Sequence, residues 1–267
     1  MRFDDYLRRI DQPAPSGASL EALRRLHLAH RETFLFENLT IQEGGGISLA
    51  VADLERKFLD EGRGGYCFEH NTLFAAALGD AGFAATTLLG RVRRGPPERW
   101  ARTHMVLRLE VESETWLADV GFGCAGLVEP MPLRDGAAVE QGGFVYKLRR
   151  ERHLWVLSIR DAAGVETDLY EFSDEPQTAM DVEVANHFTS THPDSVFRRT
   201  LTIQRTQRDD RTILRSDVLS RMRRGRIVDT PFPQGRLREI AREEFAIELP
   251  VAPLVFETIF AQLADGR

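Results

Sequence analysis

A cysteine set directly after a glycine pair, in the run Arg63-Gly64-Gly65-Tyr66-Cys67-Phe68-Glu69-His70-Asn71, is the feature of this chain best suited to covalent chemistry. An apolar stretch with helical patterning follows it, from Asn71 to Leu78. Glycine lets the backbone turn sharply without a Cβ penalty. A helix that starts at the cysteine aims unpaired N–H groups and its positive end at the sulfur. Both effects favour thiolate over thiol, and the thiolate is the form that attacks carbonyl carbon. The expectation is a nucleophile.

Acyl transfer through a thiol needs a base within hydrogen-bond reach and a third group that orients the base. The chain has seven histidines. His27 and His30 read as ordinary residues of an early helix, His153 begins a strand, and His187 and His192 flank a turn-rich segment. His70 lies three residues after Cys67, could share its helix face, and competes for the role of base. His104 has the better setting. It opens an apolar strand, and after a short turn at Glu112 to Glu114 the next strand delivers Asp119, just before Val120-Gly121-Phe122-Gly123. Adjacent antiparallel strands bring the start of one beside the end of the next. Cys67, His104 and Asp119 are therefore the candidate set, weighed against plain burial of a lone cysteine and a lone histidine. No second Cys/His pair stands at metal-ligand spacing, so no metal is expected. Cys124 reads as a small buried filler.

Elements that could position this set follow from the apolar periods. Phe3 to Ile10, Leu20 to Phe34, Val51 to Leu59 and Tyr66 to Leu78 have three-and-four spacing and predict helices. Leu20, Leu23, Leu26, Leu28 and Phe34 are expected to line most of one face of the second. From about Phe83 the period becomes two, and strands are predicted at 86–92, 104–111, 115–120, 144–148, 154–159 and 165–170. Short turns between them suggest an antiparallel sheet or small barrel. Beyond Pro176, 181–189 reads as helix, 201–204 and 212–214 as a hairpin turning at Asp209-Asp210, and 237–245 and 254–263 as closing helices.

At 267 residues, 42% hydrophobic and 28% charged, the chain has the composition of a globular protein with room for two or three cores. A net charge of −6 argues against a general nucleic-acid binder. Arginine clusters at 91, 93 and 94 and at 221, 223, 224 and 226 read as solvated faces, with a phosphate-bearing ligand as the alternative. Two cysteines make no disulfide framework. No leader pattern opens the chain, and no apolar run approaches the roughly 20 residues of a membrane span. A cytoplasmic protein without a membrane partner is expected, in a compartment that keeps thiols reduced.

The chain resembles the arylamine N-acetyltransferase family, prokaryotic type, over nearly its whole length. The resemblance is carried by Phe36-Glu37-Asn38-Leu39, the Arg63 to Glu69 run, Thr103-His104 and Asp119-Val120-Gly121-Phe122-Gly123. Asn186-His187-Phe188, Ser190 to Phe197 and Phe245-Ala246-Ile247 extend it. It implies a multi-domain α+β fold with a cysteine-protease-like Cys-His-Asp core: a helical bundle at 1–82, an antiparallel β-barrel at 83–185 and an α/β lid at 186–267. The implied mechanism is ping-pong. Cys67 takes an acetyl group from acetyl-CoA, His104 shuttles the proton, Asp119 holds the imidazole, and an aromatic amine or hydrazine opens the thioester. Phe36 and Phe122 would form a slot for the acceptor ring with Thr103 nearby, and Phe188 and Phe197 would lie towards CoA. No cofactor is bound permanently; acetyl-CoA is a substrate. Two departures stand near the slot. Leu35 occupies a position where family members often have proline, and Glu43-Gly44-Gly45-Gly46 is unusually rich in glycine.

Other readings use the same residues. An amide synthase could release a polyketide from a carrier protein through ring-closing attack by an aryl amine. A non-catalytic small-molecule binder would require a damaged triad. Cysteine proteases and transglutaminases share the Cys-His-Asp order, and thioester consumption without peptide cleavage separates them.

Overall fold

The computed structural model describes residues 1–264. Its first part is helical: α1 (Phe3–Arg9), α2 (Leu20–Thr33), α3 (Leu39–Gln42), α4 (Val51–Glu55) and α5 (Cys67–Asp80), with a two-residue strand β1 (Phe36–Glu37) between α2 and α3. The Ser19 hydroxyl caps α2 by accepting from the Ala22 N–H at 3.2 Å. Leu23 and Leu26 are fully buried on its inner side. Leu28 departs from the expected face: it is half-buried and lines a surface concavity with Leu20 and Arg24. The predicted helix at 51–59 forms as α4, but its last turn widens to a π-turn over Arg56–Asp60.

Eight antiparallel strands follow: β2 (Ala85–Val92), β3 (Arg102–Val111), β4 (Glu114–Ala118), β5 (Met131–Pro132), β6 (Ala138–Gln141), β7 (Phe144–Glu151), β8 (Leu154–Arg160) and β9 (Glu166–Phe172). They pair in the order β5-β4-β3-β2-β9-β8-β7-β6 and curl into a nearly closed barrel. Between β3 and β4 both turn residues, Glu112 and Ser113, have positive φ. That is the two-residue turn whose twist matches paired strands. β4 stops at Ala118, two residues short of the prediction. The Asp119 and Val120 N–H groups bond instead to the side chains of His27 and Asn71, which ends the ladder.

The remainder holds α6 (Ala179–Thr191), α7 (Val196–Arg199), β10 (Thr202–Thr206), β11 (Asp210–Arg215), β12 (Val218–Arg223), β13 (Arg226–Pro231), α8 (Leu237–Phe245) and α9 (Val255–Ala264). The expected hairpin is β10-β11, but it belongs to a five-stranded sheet in the order β1-β10-β11-β12-β13. Every residue of β13 is exposed, so that strand has no buried face to mark it in the sequence. Three apolar cores result. One joins the helical bundle to one face of β3 and β4, one fills the barrel, and one lies beneath the C-terminal helices. No helix among the described residues is long and apolar enough to cross a membrane.

Candidate active site

Cys67 is the first residue of α5 and is buried. The Gly64-Gly65 pair is forced by space. A Cβ on Gly64 would lie 1.7 Å from the Leu35 carbonyl oxygen, and one on Gly65 would lie 2.6 Å from the Glu69 carboxylate. Glu69 in turn accepts from the Tyr66 N–H at 3.0 Å and ties the turn to the helix start. The Cys67 thiol donates to the Thr103 carbonyl at 3.6 Å, which sets the sulfur beside the residue preceding His104. Burial pushes the thiol pKa up and the Asp119 charge adds to this, while the N–H groups of Met105 and Phe68 pull the other way. The helix start alone therefore does not favour the thiolate, contrary to the sequence expectation, because desolvation is the larger effect. Ionisation has to be coupled to proton uptake by a neighbour.

His104 is the candidate for that neighbour, and strand parity sets the side of the sheet on which it lies. Val106 on β3 and Leu117 on β4 point into the barrel core, and Met105, Leu107, Trp116 and Ala118 point to the bundle. His104 and Asp119 share the parity of the barrel side. Nε2–H of His104 donates to Asp119 Oδ2 at 2.8 Å, with both residues buried, so Nδ1 is the ring nitrogen that Asp119 leaves uncommitted. The other Asp119 oxygen accepts from Asn71 Nδ2 at 3.1 Å and from the Gly121 N–H at 2.9 Å. Burial alone would raise the Asp119 carboxyl, but His104, Asn71 and the Gly121 N–H together hold it well below the usual carboxylate range.

Three residues of this arrangement carried no separate signal in the sequence. Asn71 sits one helical turn after Cys67 and holds both the Asp119 carboxylate and the Val120 N–H. His27, read as an ordinary helix residue, accepts from the Asp119 N–H at 3.1 Å through Nε2 and donates from Nδ1 to the Val128 carbonyl at 2.9 Å. Tyr170 packs its ring on His104 with centroids 4.7 Å apart. Its buried hydroxyl feels the charge of Asp119. Burial first, and that carboxylate second, raise the phenol pKa well above its ordinary value.

The aromatic candidates divide between two places. Phe122 packs edge-on against His104 at 4.9 Å and at a tilt against Tyr170 at 5.0 Å. Phe36 stacks on His70 at 6.1 Å and meets Phe197 at 6.1 Å. Phe197 also lies edge-on to Tyr66 at 5.2 Å, which places it next to the residue before the nucleophile. Phe188 is 40% exposed on α6 and stacks on His192 at 4.5 Å. The Thr103 side chain turns back to the Ala101 carbonyl, and only its own carbonyl faces Cys67. Cys124 is the buried filler expected, with its thiol on the Arg205 carbonyl at 3.3 Å. In the arginine clusters Arg93 pairs with Glu151, Asp168 and Glu171, and Arg221 with Glu244.

His27, His30 and His70 are all fully buried and neutral. Burial holds His27 and His70 down to about 3 and His30 well below its ordinary value. Their unfolded-state pKa is about 6.5. The unfolded chain therefore gains protons that the folded chain refuses, so the stability they contribute is full above about pH 6.5 and declines as pH falls towards about 3. Each costs about 1.4 kcal/mol per pH unit in that window, about 4 kcal/mol for the three. Urea midpoints at pH 7.5 and 5.5 should differ accordingly, and His70→Gln should lessen the difference. Equal midpoints at the two pH values would show that these rings are not held neutral.

A buried cysteine at a helix start and a buried His104–Asp119 pair, at the seam of a helical bundle and an antiparallel barrel, are residue types that suit a cysteine-dependent acyl-transfer enzyme. Comparison with known proteins gives the family. The N-acetyltransferase family profile matches residues 19–255. The chain is 39% identical over 197 residues to the arylamine N-acetyltransferase / N-hydroxyarylamine O-acetyltransferase of Salmonella typhimurium, covering 73% of this chain and 70% of that one. It is 34% identical to the arylamine N-acetyltransferase of Mycolicibacterium smegmatis, covering 84% of each. Among solved structures it is similar to the Nocardia farcinica arylamine N-acetyltransferase, with a TM-score of 0.87, 36% identity and coverage of 94% and 90%. The Mycobacterium marinum enzyme in complex with CoA gives a TM-score of 0.86, 31% identity and 92% coverage of each chain. The chain belongs to the arylamine N-acetyltransferase family.

Proposed function

We propose that Cys67, His104 and Asp119 carry an acetyl group from acetyl-CoA to the amine of an arylamine or arylhydrazine, in two half-reactions through a Cys67 thioester. The observation that carries this reading is the buried 2.8 Å bond from His104 Nε2 to Asp119, made beside a cysteine whose thiol lies on the Thr103 carbonyl.

In the first half-reaction the Cys67 proton passes to His104 Nδ1. Asp119, whose charge opposes a lone thiolate, stabilises the imidazolium formed with it, so thiolate and imidazolium arise as a pair. The sulfur attacks the acetyl carbonyl, and the C–S bond to CoA breaks as the CoA sulfur takes the proton. In the second, the amine attacks the Cys67 thioester, the new C–N bond forms, and His104 accepts the amine proton as the cysteine sulfur leaves. The N–H groups of Phe68 and Met105, which already favour charge at the sulfur, are suited to the oxyanion of each tetrahedral intermediate.

Phe36 and Phe122 are proposed as walls for the acceptor ring, and Phe188 and Phe197 as CoA-side residues. The division at 1–82, 83–185 and 186–267 is retained as a proposal, with α6 running across the second boundary. A cytoplasmic location, and the absence of nucleic-acid and membrane partners, belong to the same reading. The amide-synthase alternative is not favoured: the relatives are named N-acetyltransferases, and one structural neighbour is a CoA complex.

Phe122→Ala should raise the apparent KM for arylamines several-fold, since an aromatic contact is worth on the order of 1 kcal/mol beyond burial. Cys67 acetylation should stay close to the parent rate. Stopped-flow without and then with acceptor separates the two steps. Equal slowing of both would make Phe122 general packing around His104 and end its assignment to the acceptor slot.

A further inference from the structure

Behind Phe36 lies a chain of buried polar groups that the triad does not use. Tyr6 Oη and His30 Nδ1 are 2.9 Å apart, His30 Nε2 and His70 Nδ1 are 2.9 Å apart, and His70 Nε2 lies 3.1 Å from the Leu35 carbonyl oxygen. Tyr6, His30 and His70 are all buried. The carbonyl is an acceptor only, so it fixes every donor in the row. His70 must carry its proton on Nε2, which leaves Nδ1 to accept. His30 then carries its proton on Nε2 and accepts at Nδ1, so the Tyr6 hydroxyl donates. The row runs one way, from α1 through α2 and α5 to the carbonyl of Leu35. Both ring nitrogens of His70 are committed, so it is not a second base for Cys67.

Two surfaces meet at the end of this row. The Leu35 carbonyl also accepts the Gly65 N–H at 3.3 Å, and Leu35 immediately precedes Phe36. The Phe36 ring lies almost parallel to the imidazole of His70, at 8°, while Phe58 meets that imidazole edge-on at 5.1 Å. Besides that Gly65 bond, Cys67 has fastenings of its own. Glu69 holds the Tyr66 N–H, the Tyr66 hydroxyl donates to Asn186 Oδ1, and the cysteine thiol rests on Thr103. A loosened row would therefore displace Phe36 before it displaced the nucleophile.

We propose that Tyr6, His30 and His70 form a one-way relay of positioning residues that sets the Leu35 carbonyl and the Phe36 ring, and so governs acceptor binding and not acetylation of Cys67. The inference rests on the reading of Phe36 as an acceptor wall. It assigns His70 a role in specificity for the aromatic amine, exerted through Phe36.

The test compares the parent with Tyr6→Phe, His70→Leu and His70→Gln, using aniline as the probe. Leucine removes both ring hydrogen bonds while keeping apolar bulk; glutamine keeps one donor and one acceptor. His70→Leu should weaken aniline binding to the unacetylated protein, and raise its KM in the second half-reaction, by about tenfold, the loss of one or two buried hydrogen bonds. Cys67 acetylation should stay within about twofold of the parent, as expected when only acceptor binding is lost. His70→Gln should recover most of the aniline affinity, and Tyr6→Phe should fall between parent and leucine. Imidazole 15N shifts of the parent at neutral pH should show His30 and His70 as neutral Nε2–H tautomers. Unchanged aniline affinity in His70→Leu, equal slowing of both half-reactions, or an Nδ1–H tautomer at His70 would each overturn the relay. If the parent accepted no acetyl group from acetyl-CoA, the function proposed above would fail, while the tautomers and aniline affinities would still decide the relay.

Discussion

Cys67→Ser is expected to abolish acyl transfer and leave the fold intact. Serine is slightly smaller than cysteine and leaves a polar O–H where the thiol faces the Thr103 carbonyl. An alcohol has a far higher pKa than a thiol, and burial, which already raises the thiol, penalises an alkoxide further. His104 cannot ionise it at neutral pH. The measurement is steady-state turnover of arylamine and acetyl-CoA, with circular dichroism and a urea midpoint to show that the variant is folded. Substantial turnover by a folded Cys67→Ser protein would place the nucleophile elsewhere.

His104→Gln and Asp119→Asn should each lower kcat by on the order of 10²–10⁴. The two losses have different causes. Without His104 the buried thiol has no group to take its proton. With asparagine at 119, the amide can present N–H to His104 Nε2, which favours the wrong tautomer and removes the charge that stabilises the imidazolium. Alkylation of Cys67 by a small electrophile, followed across pH, separates these variants. In the parent the coupled pair should react near pH 6, below the range of an ordinary thiol. His104→Gln should move the onset above that range, because burial and Asp119 then outweigh the opposing Met105 and Phe68 N–H groups with no base to take the proton. His70→Gln should keep the parent profile, since both of its ring nitrogens are engaged with His30 and Leu35. Loss of the low-pH reaction in His70→Gln, and its survival in His104→Gln, would mean that the wrong histidine is paired with Cys67.

Cys67, His104 and Asp119 stand out as candidates in the sequence because each sits where a local rule changes. Cys67 falls where a glycine turn meets a helix, His104 where a loop meets a period-two strand, and Asp119 where the next strand ends. The helices at 3–10, 20–34 and 66–78 and the hairpin at 201–214 were readable from apolar period in the same way. What supports the triad was not readable. His27, Asn71 and Tyr170 act on Asp119 from α2, α5 and β9, at sequence separations of 92, 48 and 51 residues. No local pattern marks a contact of that length. β13 carries no signal because every residue in it is exposed, and in β12 the buried alternation is short, with adjacent Leu219 and Ser220 both buried and only Met222 set between the exposed Arg221 and Arg223. The state of the thiol departs from the sequence expectation for a related reason. A helix start is visible in sequence, whereas the completeness of burial around Cys67 comes from packing between the bundle and the barrel.

The most direct measurement is intact mass after mixing the protein with acetyl-CoA in the absence of acceptor. One acetyl group should appear per chain, located on Cys67 by peptide mapping. It should be lost on addition of an arylamine with matching appearance of the N-acetyl product, and should be absent in Cys67→Ser. An unmodified chain that nevertheless turns over, or an acetyl group on any residue other than Cys67, would contradict a thioester at the bundle–barrel seam.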